Sequence, residues 1–171
     1  AYLADCLRKK GLTLKYIFLT HGHYDHVGAV DTVAEETGAI VYMNERDDMR
    51  GADSHLPYSL KDNGRSYDDG DVIEAAGLRF EVLATPGHTP GGVCLICGDA
   101  IFTGDTLFRD SCGRTDFEDG DMNAMLRSLL RLATLPGDYE VYPGHMEYSS
   151  LDRERAFNYY IAYALKNASQ L

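Results

Sequence analysis

The chain has 171 residues, 44% of them hydrophobic, with 27 acidic against 16 basic side chains and a formal net charge of -11. That length fits a single domain over residues 1–171 with ample apolar material for a core. The acidic balance excludes the basic stripe that nucleic acid requires, and no apolar run reaches membrane-spanning length.

In chain order, AYLADCLRKKGLTL predicts a helix with Tyr2, Leu3, Cys6 and Leu7 on one side and Gly11 as its stop. KYIFLT, residues 15–20, is short, apolar and rich in β-branched and aromatic side chains, which predicts a buried strand. At its C-terminal end, THGHYDHV crowds together His21, His23, Asp25 and His26, although the whole chain holds only six histidines. VGAVDTVAEETGA then places Val27, Val30, Val33 and Ala34 at helical spacing up to Gly38, so Asp25 stands at the expected N-cap. On extended backbone His21 and His23 share a side and make a natural ligand pair for one cation. Asp25 and His26, where the chain turns into the helix, can face a second.

Residues 44–71 are polar, with a short helix expected near 44–49, His55 as a surface residue, and Asp68, Asp69 and Asp71 as a solvated turn before the strand VIEA. The strand LRFEVLAT leads into TPGHTPGG and His88; AIFT leads into FTGDTLF and Asp105; EVY leads into YPGH and His145. Four strand ends therefore deliver His or Asp, and strand ends converging on one edge build a cage for a borderline cation such as zinc. Cys94 and Cys97 in VCLIC sit three apart on a strand and point to opposite faces, which reads as structural cysteines in a reducing, cytoplasmic setting. Cys112 in DSCGRTDF has nothing nearby to activate it and is read as structural. LDRERAFNYYIAYALKN predicts one amphipathic helix packed on the sheet.

The order HxHxDH, GH, GD, GH resembles the metallo-β-lactamase superfamily of hydrolases over about residues 12–150. FTGDTLF, CGRTDFEDGD and LPGDYEVYPGH look like its small glyoxalase II and persulfide dioxygenase branch. The resemblance implies an αββα sandwich in which His21, His23 and His88 hold one metal, Asp25, His26 and His145 another, and Asp105 bridges them. Two divalent ions are implied, zinc first, with iron or manganese as alternatives. Asp25 would also orient the nucleophile in thiolester or lactone hydrolysis of a small-molecule substrate. Members of the superfamily carry N-terminal strands before the first helix, so the chain is expected to be N-terminally truncated, with an exposed edge on its first sheet open to pairing with another chain.

The same resemblance separates branches. Penicillin-hydrolysing members carry cysteine where Asp105 stands, flavodiiron members carry glutamate where His23 stands, and RNA-processing members need a large extra domain. The dioxygenases use the positions of His21, His88 and Asp105 for a single iron, so the alternatives are a persulfide dioxygenase, a lactonase or a metal-binding protein without catalysis. For substrate, Arg114 matches a glutathione-contacting lysine of glyoxalase II, and Tyr148 in HMEY stands one place displaced from the family's HEY. Arg114 is also read as a structural partner of Asp116 in the turn.

Overall fold

The computed structural model of the chain describes residues 2–48, 58–62 and 64–171, so the expectation for His55 lies outside the described residues. Two sheets with helices on their outer faces account for the periodicities of the sequence. The elements run α1 (Tyr2–Lys9), β1 (Tyr16–Phe18), α2 (Tyr24–Val27), α3 (Val30–Thr37), β2 (Ile40–Met43), a 3-10 turn (Glu45–Asp47), β3 (Arg65–Ser66), β4 (Val72–Ala75), β5 (Leu78–Ala84) and β6 (Val93–Cys97). There follow β7 (Ala100–Gly104), β8 (Leu107–Phe108), β9 (Ser111–Cys112), α4 (Met122–Ala133), β10 (Glu140–Pro143), β11 (Ser149–Ser150), α5 (Leu151–Phe157) and α6 (Tyr159–Lys166).

The first sheet is parallel in the order β1-β2-β3, and the second runs β11-β10-β7-β6-β5-β4. Between the sheets Phe18 and Tyr42 meet Val82, Val93 and Leu95, and the rings of Phe18 and Phe80 stack at 4.8 Å. Outside the first sheet, Val30 and Ala34 of α3 pack on Leu19, Val41 and Met43. Outside the second, Met125, Leu129 and Leu132 of α4 and Ile161 and Ala164 of α6 cover Ile101 and Val141. Helices cover two stacked sheets, the αββα sandwich of the metallo-β-lactamase type.

Strand direction positions the functional edge. β5 is antiparallel to β6, β6 is antiparallel to β7, and β7 is parallel to β10, so β5, β7 and β10 all point the same way. Their C-terminal ends, with that of β1 from the facing sheet, open on one edge.

Four local expectations are corrected. β1 is half-buried rather than buried, because among the described residues it is an edge strand paired with β2 alone. The helix after the histidine cluster is two helices, since the backbone at Gly28 and Ala29 leaves the ladder and starts α3 afresh. The helix near residue 44 shrinks to one 3-10 turn capped by Asn44, whose side chain accepts from the Arg46 N–H.

The C-terminal helix is likewise two, broken at Asn158 (φ -75, ψ 119). The buried Asn158 side chain accepts from the Tyr160 and Ile161 N–H groups, and its amide donates to the Phe108 and Ser111 carbonyls and to Glu154. A side chain that satisfies five backbone and carboxylate groups outcompetes helix continuation. Asn158→Ala should therefore cost about 1–3 kcal/mol, read from equilibrium urea denaturation; an unchanged midpoint would remove Asn158 as the joint between α5, α6 and the β8-β9 hairpin.

Candidate metal centre

The residues that the sequence singles out as ligands meet at the shared edge. Beyond β1 the chain runs through Leu19 and Thr20 to His21, which is 1% exposed, and on to His23. Asp25 is not the N-cap: the helix starts two residues earlier than expected, with His23 (φ -66, ψ 148) at the cap, which places Asp25 and His26 in the single turn of α2. The Asp25 carboxylate is thereby free of capping and lies 3.3 Å from His145 Nε2 and 3.7 Å from His26 Nε2.

Three overlapping groups of ligand atoms result, one of them, His21, His26 and Asp105, linking the other two. His23 Nδ1 faces His88 Nε2 at 2.8 Å with His21 beside them, and His26 Nε2 faces His145 Nε2 at 3.3 Å with Asp25 beside them. Asp105 lies between the groups, Oδ2 at 3.3 Å from His88 Nε2 and 3.5 Å from His145 Nε2, Oδ1 at 3.4 Å from His26 Nε2. Loop glycines permit the approach. A Cβ on Gly144 would stand 2.5 Å from Asp105 Oδ1 and 2.7 Å from the His26 ring, and one on Gly113 would fall 1.8 Å from the Asp105 carbonyl oxygen. The glycines of YPGH and CGR are therefore steric requirements of the cage.

The donors suit divalent cations. His21 Nε2 and Asp105 Oδ1 are buried without a hydrogen-bond partner, which is costly for polar atoms unless something else occupies their lone pairs. His88 Nδ1 donates to the Arg114 carbonyl at 2.7 Å, which fixes the tautomer and leaves the Nε2 lone pair facing inward. Burial first, and repulsion from neighbouring histidines second, holds His21 far below the ordinary imidazole range and lowers His23 to about 4. Burial likewise lowers His26, against the pull of Asp105 and Asp25. These rings are neutral at pH 7, the form that binds metal. Burial raises Asp105, whose charge gains a partner once a cation is present.

Beside the ligands lies a pocket of about 610 Å³ walled by Tyr24, Phe108, Cys112, Arg114, Phe117 and Met146. Of these, Arg114, Cys112 and Phe117, which falls near the glutathione-contacting tyrosine of glyoxalase II, stood out in the sequence; Tyr24, Phe108 and Met146 did not, because apolar wall residues carry no pattern until the loops are folded. Arg114 makes a bidentate ion pair with Asp116 at 2.6 and 2.7 Å and lies over the Phe117 ring at 4.2 Å. Its carbonyl supports His88 while its side chain edges the pocket, so one residue serves both sides of the wall. Tyr148 departs from expectation: the chain turns at Met146 (φ 68), which takes the wall position beside His145, and Tyr148 packs on Tyr142 at 5.1 Å, 72% exposed. Burial pushes the Cys112 thiol up to about 11, which leaves it protonated and without nucleophilic character at neutral pH. Among the described residues, no helix is long and apolar enough to cross a membrane.

Comparison with known proteins agrees with this geometry. The family model described as Metallo-beta-lactamase superfamily matches residues 4–145. A probable polyketide biosynthesis zinc-dependent hydrolase, PksB of Bacillus subtilis, is 36% identical over 133 residues, 77% of this chain and 56% of that protein. Hydroxyacylglutathione hydrolase GloC of Haemophilus influenzae is 32% identical over 175 residues, 91% of this chain and 80% of that protein. The crystal structure of ETHE1 from Myxococcus xanthus superposes with a TM-score of 0.76 at 35% identity, covering 93% of this chain and 68% of that one. The chain spans from about half (48%) to four-fifths (80%) of the length of these and similar curated relatives.

The histidines predict a pH dependence for the cation-free protein. Between the ordinary value of 6.5 and about 4, the unfolded chain protonates the His23 position and the folded chain does not. This contribution to stability is fully present above pH 6.5 and is lost as the pH falls through the window. Urea denaturation of chelator-treated protein should show a lower midpoint near pH 4.5 than near pH 7, with a smaller difference in His23→Gln. An equal difference in the variant would mean that other groups drive it.

Proposed function

Given that the chain belongs to the Metallo-beta-lactamase superfamily, we propose that it is a dinuclear metal-dependent hydrolase of thiolesters of the hydroxyacylglutathione kind. The observation that carries this reading is Asp105, whose two oxygens reach 3.3 Å toward His88 in one ligand group and 3.4 Å toward His26 in the other. His21, His23 and His88 would hold one cation, Asp25, His26 and His145 the second, and Asp105 would span them. Zinc is the first choice, supported by the similarity to the zinc-dependent hydrolase of Bacillus subtilis and by the imidazole-rich donor set; iron and manganese are the alternatives. When bound, such a pair supplies Lewis acidity, easing deprotonation of water and polarising a carbonyl.

The chain's own residues supply the rest. Asp25, 40% exposed at its side chain and bordering the pocket, orients the attacking water by accepting a hydrogen bond from it. Tyr24, Phe108 and Phe117 offer apolar surface to the acyl and thiol chains, and the pocket volume of about 610 Å³ suits a ligand of that size. Arg114 would grip a carboxylate of the thiol carrier by exchanging its Asp116 partner for the substrate. The exchange is inexpensive because exposed ion pairs contribute little. We place the enzyme in the cytoplasm, with a small-molecule substrate and no nucleic-acid partner.

Two measurements test the proposal. Metal analysis of protein purified without chelator should give two ions per chain, falling to one in His26→Ala or His145→Ala; two ions in either variant would overturn the ligand division. A single iron with oxygen-dependent turnover of a persulfide would replace the proposal with the mononuclear dioxygenase reading. For the substrate, Arg114→Ala should lower kcat/KM for a glutathione thiolester by about ten-fold or more and leave a small neutral thiolester unaffected. Equal losses on both would make Arg114 a residue of the turn alone.

A further inference from the structure

Asp47 takes part in none of the chemistry above, yet it is a fully buried carboxylate, 0% exposed, directly behind the ligand loops. Its Oδ2 accepts from the Gly22 N–H at 2.9 Å and from the Thr89 hydroxyl at 2.7 Å, and its Oδ1 accepts from the Gly91 N–H at 2.6 Å. Gly22 stands between His21 and His23, and Thr89 follows His88. One side chain thus ties the loop after β1 to the loop after β5, and these two loops, from opposite sheets, carry all of the three-histidine group. The fit is close: a Cβ on Gly91 would lie 2.5 Å from Asp47 Oδ1.

The mount is rigid. Asp47 ends the 3-10 turn capped by Asn44, and the Asn44 amide donates to the Tyr67 carbonyl at 3.0 Å, fastening the turn to the first sheet. The Asp25–His26–His145 group hangs on other supports, the α2 turn and the junction where the Gly144 N–H donates to the Gly104 carbonyl at 2.8 Å. We propose that Asp47 is a positioning residue for the three-histidine cation alone: its carboxylate clamps the two ligand loops at the spacing that cation requires. The proposal rests on the reading that His21, His23 and His88 hold a cation, and it adds an asymmetry between the two metals that the ligands themselves do not display. No neutral residue serves as well, since all three partners are donors and only a carboxylate offers acceptors to every one.

The test uses the full chain, stripped of metal and titrated with zinc against a chromophoric chelator. Asp47→Ala should weaken one of the two zinc ions by about 10–100-fold and leave the affinity of the other unchanged. Asp47→Asn should give a smaller loss at the same ion, because its amide oxygen still accepts from Gly22 and Thr89 while its NH2 opposes the Gly91 N–H. His88→Ala is the reference that identifies which ion is affected. A merely structural role would weaken both ions alike, so equal weakening, or none, in the Asp47 variants overturns the proposal. If Asp47→Ala does not fold, the Asn variant decides by the same criterion. Retention of both zinc ions at full affinity in His88→Ala would instead overturn the ligand assignment itself, a result distinct from failure of the Asp47 inference.

Discussion

Imidazole nitrogens and carboxylate oxygens face one another across roughly 3 Å at the edge of this sandwich, with His23 and His88 at 2.8 Å and Asp105 at 3.3 Å from His88. His23 Nδ1 and His88 Nε2 can share a proton, but the buried lone pairs of His21 Nε2 and Asp105 Oδ1 have no hydrogen-bond partner, and a cation among these donors would satisfy them. The remainder of the architecture can be understood as what holds this unfavourable grouping in place. Strands β5, β7 and β10 bring their ends to one edge, the inter-sheet aromatic packing sets the depth at which β1 meets them, and glycines at 113 and 144 admit backbone where a side chain would collide with Asp105.

The two ligand groups are supported differently. The three-histidine group joins opposite sheets and depends on contacts between loops: Thr20 beside His21 Nδ1 at 3.2 Å, the Arg114 carbonyl on His88, and Asp47 beneath both loops. The second group lies where the α2 turn meets the β7-β10 junction, and its members are more open, with the His145 side chain 48% exposed. A buried group held by a polar network is sharply defined in geometry, whereas an exposed one keeps room for a ligand to enter. The pocket borders members of both groups, His23 and His88 of the one and Asp25 and His145 of the other, with Asp105 between them.

Beside the site, the charged side chains are paired: Asp116 with Arg114 on the pocket rim and Glu147 with Arg109 beyond Met146. An overall charge of -11 slows the approach of polyanions. Arg114 edges the pocket in its pair with Asp116, and Phe108 and Phe117 give the wall a neutral aromatic face.

The candidate donors were legible in the sequence because metal chemistry restricts residue type and because His21, His23, His88, Asp105 and His145 stand just beyond short apolar runs, and the structure brings them to one edge. The two-layer sandwich was implied by the family resemblance that this order of motifs carries. What local pattern misjudged were boundaries decided by side chains distant in sequence: Asn158 breaks the C-terminal helix because Phe108 and Ser111 need its amide. Tyr148 leaves the pocket because the chain turns at Met146. Asp47 resembled any acidic residue in a polar stretch, for its meaning lies in Gly22 and Gly91, 25 and 44 positions away. The sequence by itself determined the chemistry of the donors and the local strands and helices, which follow from residue type and short-range period, and its order of motifs carried the family resemblance that implied the fold. Only the tertiary structure decided which atoms face each other, which loops are tied together and what walls the pocket, because those depend on contacts whose partners are far apart along the chain.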